Sequence, residues 1–441
     1  MTAQSQQIPE GQAASEEVFI AIPNHPLRTE ADLDVLLQEI GDARIVLLGE
    51  ASHGTSEYYT WRAAITKRLL QEKGFDFIAV EGEWADSYRV NQFIKGPPQD
   101  SAAVVELLQH YNRWPSWMWG NHEVAALVGW LNRYNQQQPQ QEKAGFYGLD
   151  VYCLWEAMEE LMPYLPDSAK QAQRAARRVD KCFQPYSADA QEYARAVANA
   201  SANCRHTTSQ LWRRVQKLSR EAAEKSEALF VMEQNALVAL NGERYYRAMV
   251  SSEQESWNIR DRHMTETLRR LLAFHGPDSK AIVWEHNTHV GDARYTDMAQ
   301  SGMVNVGQLV REEFGEDVFI VGFGSYEGSV IAARQWGGAV EEMQLPPAPE
   351  GSWENMLHQL SDENKIILSR DIQNQQYLQQ PLGHRAVGVV YHPNLEAYGN
   401  YVPSVIPKRY DAFLFIDKSR ALHPISVPLQ NEPPDLYPWG Y

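Results

Sequence analysis

RIVLLGEASHGT, residues 44–55, decides how the rest of the chain is read. RIVLLG is an unbroken apolar run with the length of a strand buried on both faces. It opens straight into a polar turn that carries Glu50, Ser52 and His53. An amphipathic run, SEYYTWRAAITKRLLQEKG (residues 56–74), follows at once. Strand, polar loop and helix form the first half of a βα unit, and in such units ligands bind at the carboxyl ends of the strands. Glu50 and His53 are therefore read as the start of a site, and their partners are expected at the ends of the other strands.

Working outward, FDFIAVEG (75–82) reads as a second buried strand, ending on Glu81 and Glu83. FYGLDVY (146–152) is a third, with Asp150 at its end, and KAIVW (280–284) a fourth, running into EHNTHVGDAR with Glu285, His286 and His289. VFIVGFG (318–324) is a fifth strand, with 329–333 as its partner, and 365–369, 386–391 and 412–416 are late strands. Helices are expected over 101–111, from Asn121 as N-cap, over 306–314 and over 354–360. Between 151 and 275 the periodicity is helical throughout, and the strand pattern then resumes, so this stretch is one insertion. The fold class is α/β, with a central mostly parallel sheet flanked by helices and a large inserted helical lobe. The organisation is a disordered leader over 1–17, the first part of the core over 18–150, a helical substrate lobe over 151–275 and the second part of the core over 276–441.

Composition narrows the function. With 44% hydrophobic residues in 441, the chain can bury a large core. No apolar run approaches the ~18 residues of a membrane span, and the polar start lacks the basic and apolar regions of a signal peptide. A net charge of −17 disfavours a nucleic-acid partner. Three cysteines, Cys153, Cys182 and Cys204, without CxxC spacing, fit a reducing, cytoplasmic compartment and argue against a disulfide framework. The expected partner is a small molecule.

A single strand-end carboxylate is most simply a helix N-cap. Four strand ends carrying ionisable groups in one parallel sheet converge on one cleft, where pKa values are perturbed and acid–base chemistry can run near neutral pH. Two chemistries suit the set. A histidine can take a proton from water while a carboxylate orients the imidazole and cations steady an oxyanion. Alternatively, Glu50, His53, Glu81 and the HNTH pair could hold a divalent metal that activates the water. No HExxH, G-x-S-x-G, GxGxxG or P-loop pattern is present. Arg62 follows His53 on the first helix beside Tyr58, Tyr59 and Trp61, where a guanidinium can hold a carboxylate. Trp114, Trp117 and Trp119 read most simply as core. As a pocket lining they would suit a third reading, a non-catalytic protein for a small apolar or haem-like ligand.

LLGEASHGTSEYYTWR, AVEGEW, DSYRVNQF, RWPSWMWGNHEV, FYGLDVY, NIRDRHM and IVWEHNTHVGDAR, in this order from residue 44 to 424, together resemble the erythromycin esterase family. GE-x-x-HG, then VEG, then HN-x-H is specific as a set. The resemblance implies an α/β core with a large helical lobe, akin to the ChaN-like and TIKI-like superfamily. It implies hydrolysis of the macrolactone ester of macrolide antibiotics, the activity of bacterial resistance enzymes, by a histidine-activated water without an obligatory metal or cofactor. Carried over residue by residue, the catalytic histidine is His53, its supporting glutamates are Glu50 and Glu81, and its arginine is Arg62. The second histidine is His286 or His289. Asp150, Trp119, Glu285 and Arg260 are expected on the substrate side of the cleft. Glu285 stands where resistance members tend to carry a small residue. The chain is therefore more similar to the homologues of unknown physiological substrate.

Overall fold

The computed structural model describes residues 22–186, 190–199, 203–223 and 225–427. The expected leader lies outside them. The strands, in chain order, are β1 (His25–Pro26), β2 (Ile45–Leu48), β3 (Phe77–Glu83), β4 (Gly145–Asp150), β5 (Ala281–Trp284), β6 (Val318–Ala333), β7 (Val340–Leu345), β8 (Lys365–Leu368), β9 (Leu382–Arg385), β10 (Tyr401–Ser404) and β11 (Ala412–Ser419). Nine of them form one sheet in the order β1-β8-β11-β6-β2-β5-β3-β4, with β7 against β6; β9 and β10 pair separately. From β11 to β4 every neighbour is parallel, while β1, β7 and β8 add antiparallel pairs at the margins.

The unbroken hydrophobicity of the central strands follows from cover on both faces. Along β2, Val46 and Leu48 belong to one buried cluster, and Ile45 and Leu47 to the other. This is the period of two that a pleated strand imposes. The chain passes from β2 to β3 and β4, and only much later returns to insert β5 between β2 and β3. The four strand ends singled out in the sequence are consequently consecutive in space, β2-β5-β3-β4.

Between β4 and β5 the described chain is helical: Leu154–Leu161, Lys170–Phe183, Ala190–Ala198, Arg205–Glu221, Glu227–Met249 and Glu253–His275. Most of these helices share a core of their own, including Leu161, Ala176, Phe183, Leu211 and Met232. The last two are long, and Val238, Met264 and Leu271 also reach the sheet cluster. Asn121 caps the helix His122–Asn135, its side chain accepting from the Val124 amide at 2.7 Å.

Three expectations are corrected. Residues 329–333 are not a separate partner for 318–324: β6 is one strand, held in register by β11 as far as Gly328 and by β7 from there to Ala333. Its polar middle hides this continuity in the sequence. Residues 386–391 form no ladder. They cross the ends of strands, pinned by Val387 N–H to the Ala51 carbonyl at 2.8 Å and by Ala333 N–H to the Val389 carbonyl at 3.0 Å. Finally, Cys182 and Cys204 form a disulfide, with Cα atoms 6.0 Å apart, leaving Cys153 free and buried. Spacing failed as a guide because Cys182 lies in the helix Lys170–Phe183 and Cys204 at the start of the helix Arg205–Glu221, which packs against it.

Candidate active site

The turn after β2 is shaped by two glycines that lie flat against neighbours. A Cβ at Gly49 would come within 2.1 Å of the Asn287 side chain, and one at Gly54 within 1.9 Å of the Ile331 carbonyl. Between them the backbone is tied down from three sides. Gly49 N–H donates to the Val321 carbonyl at 2.8 Å, Asn287 N–H donates to the Glu50 carbonyl at 2.8 Å, and the Tyr59 hydroxyl donates to the His53 carbonyl at 3.0 Å. The turn therefore presents Glu50 and His53 in one fixed arrangement.

His53 Nδ1 lies 2.8 Å from Glu50 Oε1, and the other Glu50 oxygen accepts from Arg62 Nη2 at 2.5 Å. Arg62 is buried, its guanidinium carbon 4.5 Å from the ring centres of both Tyr59 and Trp284. A sandwich of this kind holds a cation by its attraction to aromatic faces, about 0.5–2 kcal/mol for each contact. Burial lowers the His53 pKa, but the Glu50 hydrogen bond and the charges of Glu81 and Glu50 outweigh it, so the imidazole is raised above its usual value.

Arg260 is the second centre. Its Nε and Nη2 donate to the two Asp150 oxygens at 2.9 and 2.6 Å, Nη2 also donates to Glu81 Oε1 at 2.7 Å, and Nη1 donates to His289 Nε2 at 2.8 Å. A guanidinium has only donors, so His289 Nε2 must be the accepting nitrogen. Its Nδ1–H then donates to Asp261 Oδ1 at 2.9 Å, and its ring stacks on Trp257 at 4.5 Å. Glu81 Oε2 accepts from the His286 amide at 2.8 Å. Burial pushes the Glu81 carboxyl up, but His289, Arg260, His53 and that amide together hold it far below the ordinary carboxylate range.

His286 packs its ring 4.9 Å from that of His53. Burial and the nearby His53 charge keep its pKa well below the usual value. Its Nδ1 accepts from Thr288 N–H at 3.2 Å. Glu285 is buried with both carboxyl oxygens unpaired, and burial next to Glu81 and Asp261 raises its pKa well above normal.

These groups meet at a cavity of about 750 Å³. His53, Glu81, Asp150, Arg260 and Trp119 line it, as do Glu83, Arg113 and an aromatic wall that includes Trp114, Tyr152, Tyr246 and Trp336. Glu50, Arg62, His286 and His289 are tied to these side chains without lining the cavity, and Glu285 lies near Glu81 and Asp261 without lining it either. Trp119 also donates from Nε1 to the Glu81 carbonyl at 3.0 Å. Sequence reading missed Asp261, although it adjoins Arg260 in NIRDRHM. It also missed Trp336, for which a lone exposed tryptophan in a β-hairpin turn offers no signal. Among the described residues no three His, Cys, Asp or Glu side chains are placed to hold a metal, and no helix is long and apolar enough to cross a membrane.

The family model described as erythromycin esterase matches residues 70–419. An erythromycin esterase type II of Escherichia coli is 25% identical over 90% of this chain and 94% of its own. A putative hydrolase of Bacillus subtilis, YbfO, is 21% identical over 88% and 86% of the two chains. Among solved structures, a succinoglycan biosynthesis protein superposes with a TM-score of 0.72 at 18% identity, covering 91% of this chain and 95% of that one. The erythromycin esterase EreC, in an open conformation, superposes with a TM-score of 0.66 at 14% identity, covering 90% and 98%.

Proposed function

The chain belongs to the erythromycin esterase family, and on that premise we propose that it is a hydrolase that opens an ester or lactone with water activated by His53. The observation that carries this reading is the Glu50–His53 pair, 2.8 Å apart, on the wall of a cavity of about 750 Å³. With Nδ1–H committed to Glu50, Nε2 is the nitrogen left to accept a proton from water. Arg62 holds Glu50 in place, and Glu50 in turn stabilises the imidazolium that forms.

The water oxygen adds to the substrate carbonyl carbon as its proton passes to His53. Negative charge then develops on the carbonyl oxygen. Arg260 lines the cavity with all but one of its N–H donors already engaged. The remaining Nη1–H and its fixed charge stabilise the oxyanion, because Asp150, Glu81 and His289 have oriented the guanidinium before the substrate arrives. The aromatic wall excludes water from the apolar body of the substrate and strengthens these interactions.

The reading needs no metal. Glu50 and Glu81 already engage Arg62 and Arg260, and the His53 and His289 nitrogens facing them are committed to Glu50, Asp261 and Arg260. A metal-dependent hydrolysis would require these pairs to be broken.

The test is mass spectrometry of erythromycin and of a panel of simple lactones and esters incubated with chelator-treated protein. A product heavier by one water, absent with His53→Ala, is expected. Activity that appears only on addition of a divalent cation, or that survives His53→Ala, overturns the reading.

A further inference from the structure

The base has been assigned, but the alkoxide that leaves when the ester C–O bond breaks also needs a proton. The HNTH histidines are poorly placed to supply it: neither lines the cavity, and both His289 nitrogens are engaged by Asp261 and Arg260. Three of the tyrosines that line it with His53 are weak acids. Burial raises Tyr111, Tyr152 and Tyr246 well above the usual phenol.

The cavity carboxyls differ in how they are occupied. Asp150 accepts two bonds from Arg260 and one to Oδ1 from the Val151 amide. Glu81 accepts from Arg260 and from the His286 amide. Asp86 accepts from Arg89 at 3.0 Å. Glu83 has Arg113 as its ion-pair partner, with Nε at 3.4 Å, and Arg113 spends its shorter bond, 2.5 Å, on Glu156. Glu83 sits two residues from Glu81 on β3. Both residues line the same cavity. A register shift between Val80 and Glu83 marks a bulge at this strand end, a device that re-aims side chains beside active sites.

We propose that Glu83 is the acid that protonates the departing alkoxide, a catalytic residue in the cavity that His53 also lines. This inference rests on the ester-hydrolase reading. The step balances as follows. His53 takes one proton from water, the new C–O bond forms, the old C–O bond breaks, and Glu83 gives its proton to the leaving oxygen. The carboxylate of Glu83 regains a proton, and His53 loses one, through solvent after the alcohol has left. The surroundings suit the role: burial, with Asp150 and Asp86 adding to it and Arg113 opposing, pushes the Glu83 carboxyl up to about 7. An acid poised there is matched to neutral pH.

The experiment compares wild type and Glu83→Gln on three butyrate esters, with p-nitrophenol, phenol and trifluoroethanol as leaving groups. An acid is needed only where the leaving oxygen is basic. The loss in kcat/KM is therefore expected to grow along the series, from no more than about threefold for p-nitrophenyl to about a hundredfold for trifluoroethyl. The alkaline fall of the wild-type pH profile on trifluoroethyl butyrate should vanish in the variant. An equal loss on all three esters, which a packing or binding role would give, overturns the proposal, as does no loss on any. The p-nitrophenyl ester doubles as the check that the variant is folded. Wild type inactive on every ester would instead bring down the hydrolase reading and this inference with it.

Discussion

Two buried histidine–carboxylate pairs in this molecule look alike at short range and behave in opposite ways. His53 Nδ1 is 2.8 Å from Glu50, and His384 Nδ1 is 2.6 Å from Glu354. Around His53 the next charges are carboxylates, and they overcome burial to raise its pKa. Around His384 burial dominates, Arg409 and Arg385 add to it, and the pKa falls. The second nitrogen differs as well. His384 Nε2 is closed off by the Asn287 amide at 3.1 Å and the Tyr410 hydroxyl at 3.2 Å, whereas His53 lines the cavity. An imidazole paired with a carboxylate is thus only a component. On the proposed reading, access and the sign of the surrounding charge suit one pair to act as a base and leave the other as a strut.

The sharpest way to break this comparison is to remove each imidazole in turn. His53→Ala should lower kcat/KM by about 10²–10⁴-fold, the range of a lost general base, with little change in melting temperature. His384→Ala should leave the activity of the folded protein within about tenfold of wild type. It should cost about 2–4 kcal/mol in denaturant unfolding, because the buried Glu354 and Asn287 lose their partner. If His384→Ala abolishes turnover without destabilising, the distinction fails.

Next in size is Arg260→Met, which leaves Glu81 and Asp150 buried and facing each other. Breaking a buried ion pair by deleting one partner costs about 3–5 kcal/mol, read as a lowered denaturation midpoint, and kcat should fall in the protein that remains folded.

A third variant pair tests the lobe rather than the floor. Replacing Cys182 and Cys204 by serine removes a closed loop and should cost about 3 kcal/mol on the chain-entropy account. The acid limb of the pH profile should not move, since neither cysteine touches the His53 network.

The smallest expected effect is in that acid limb itself. The base works only when neutral, so kcat/KM should fall as pH drops through the raised His53 value, with a midpoint above the ordinary ~6.5. The linked stability runs the other way. Protonated His53 stabilises the fold fully below the unfolded-state value, and that contribution is lost as pH rises through the folded-state value. Unfolding measured across pH 6–9 in wild type and His53→Gln checks the sign.

Much of the central architecture was legible because physical necessity wrote it locally. Strands buried on both faces leave runs such as IVLL and FIAV, and each run stopped abruptly at an ionisable residue. The convergence of Glu50, Glu81, Asp150 and His289 on a shared network follows from strand ends placed side by side. What stayed hidden depends on packing between distant segments. Nothing local announces that Cys182 meets Cys204, that Trp336 reaches the cavity from a hairpin turn, or that Glu83 lacks the partners that occupy Glu81. The apolar alternation of 386–391 misled because side-chain pattern does not reveal whether a neighbouring strand exists to pair with it.

The late insertion of β5 between β2 and β3 has a consequence for the order of events during synthesis. Glu50, Glu81 and Asp150 leave the ribosome early, yet they have no common floor until Ala281–Trp284 arrives with Glu285, His286 and His289 behind it. By then the whole helical stretch has emerged. It is the part with the most local contacts, which form fastest. The nascent chain therefore completes its walls before its floor, and a fragment ending short of β5 carries most of the proposed catalytic side chains but not the assembled site.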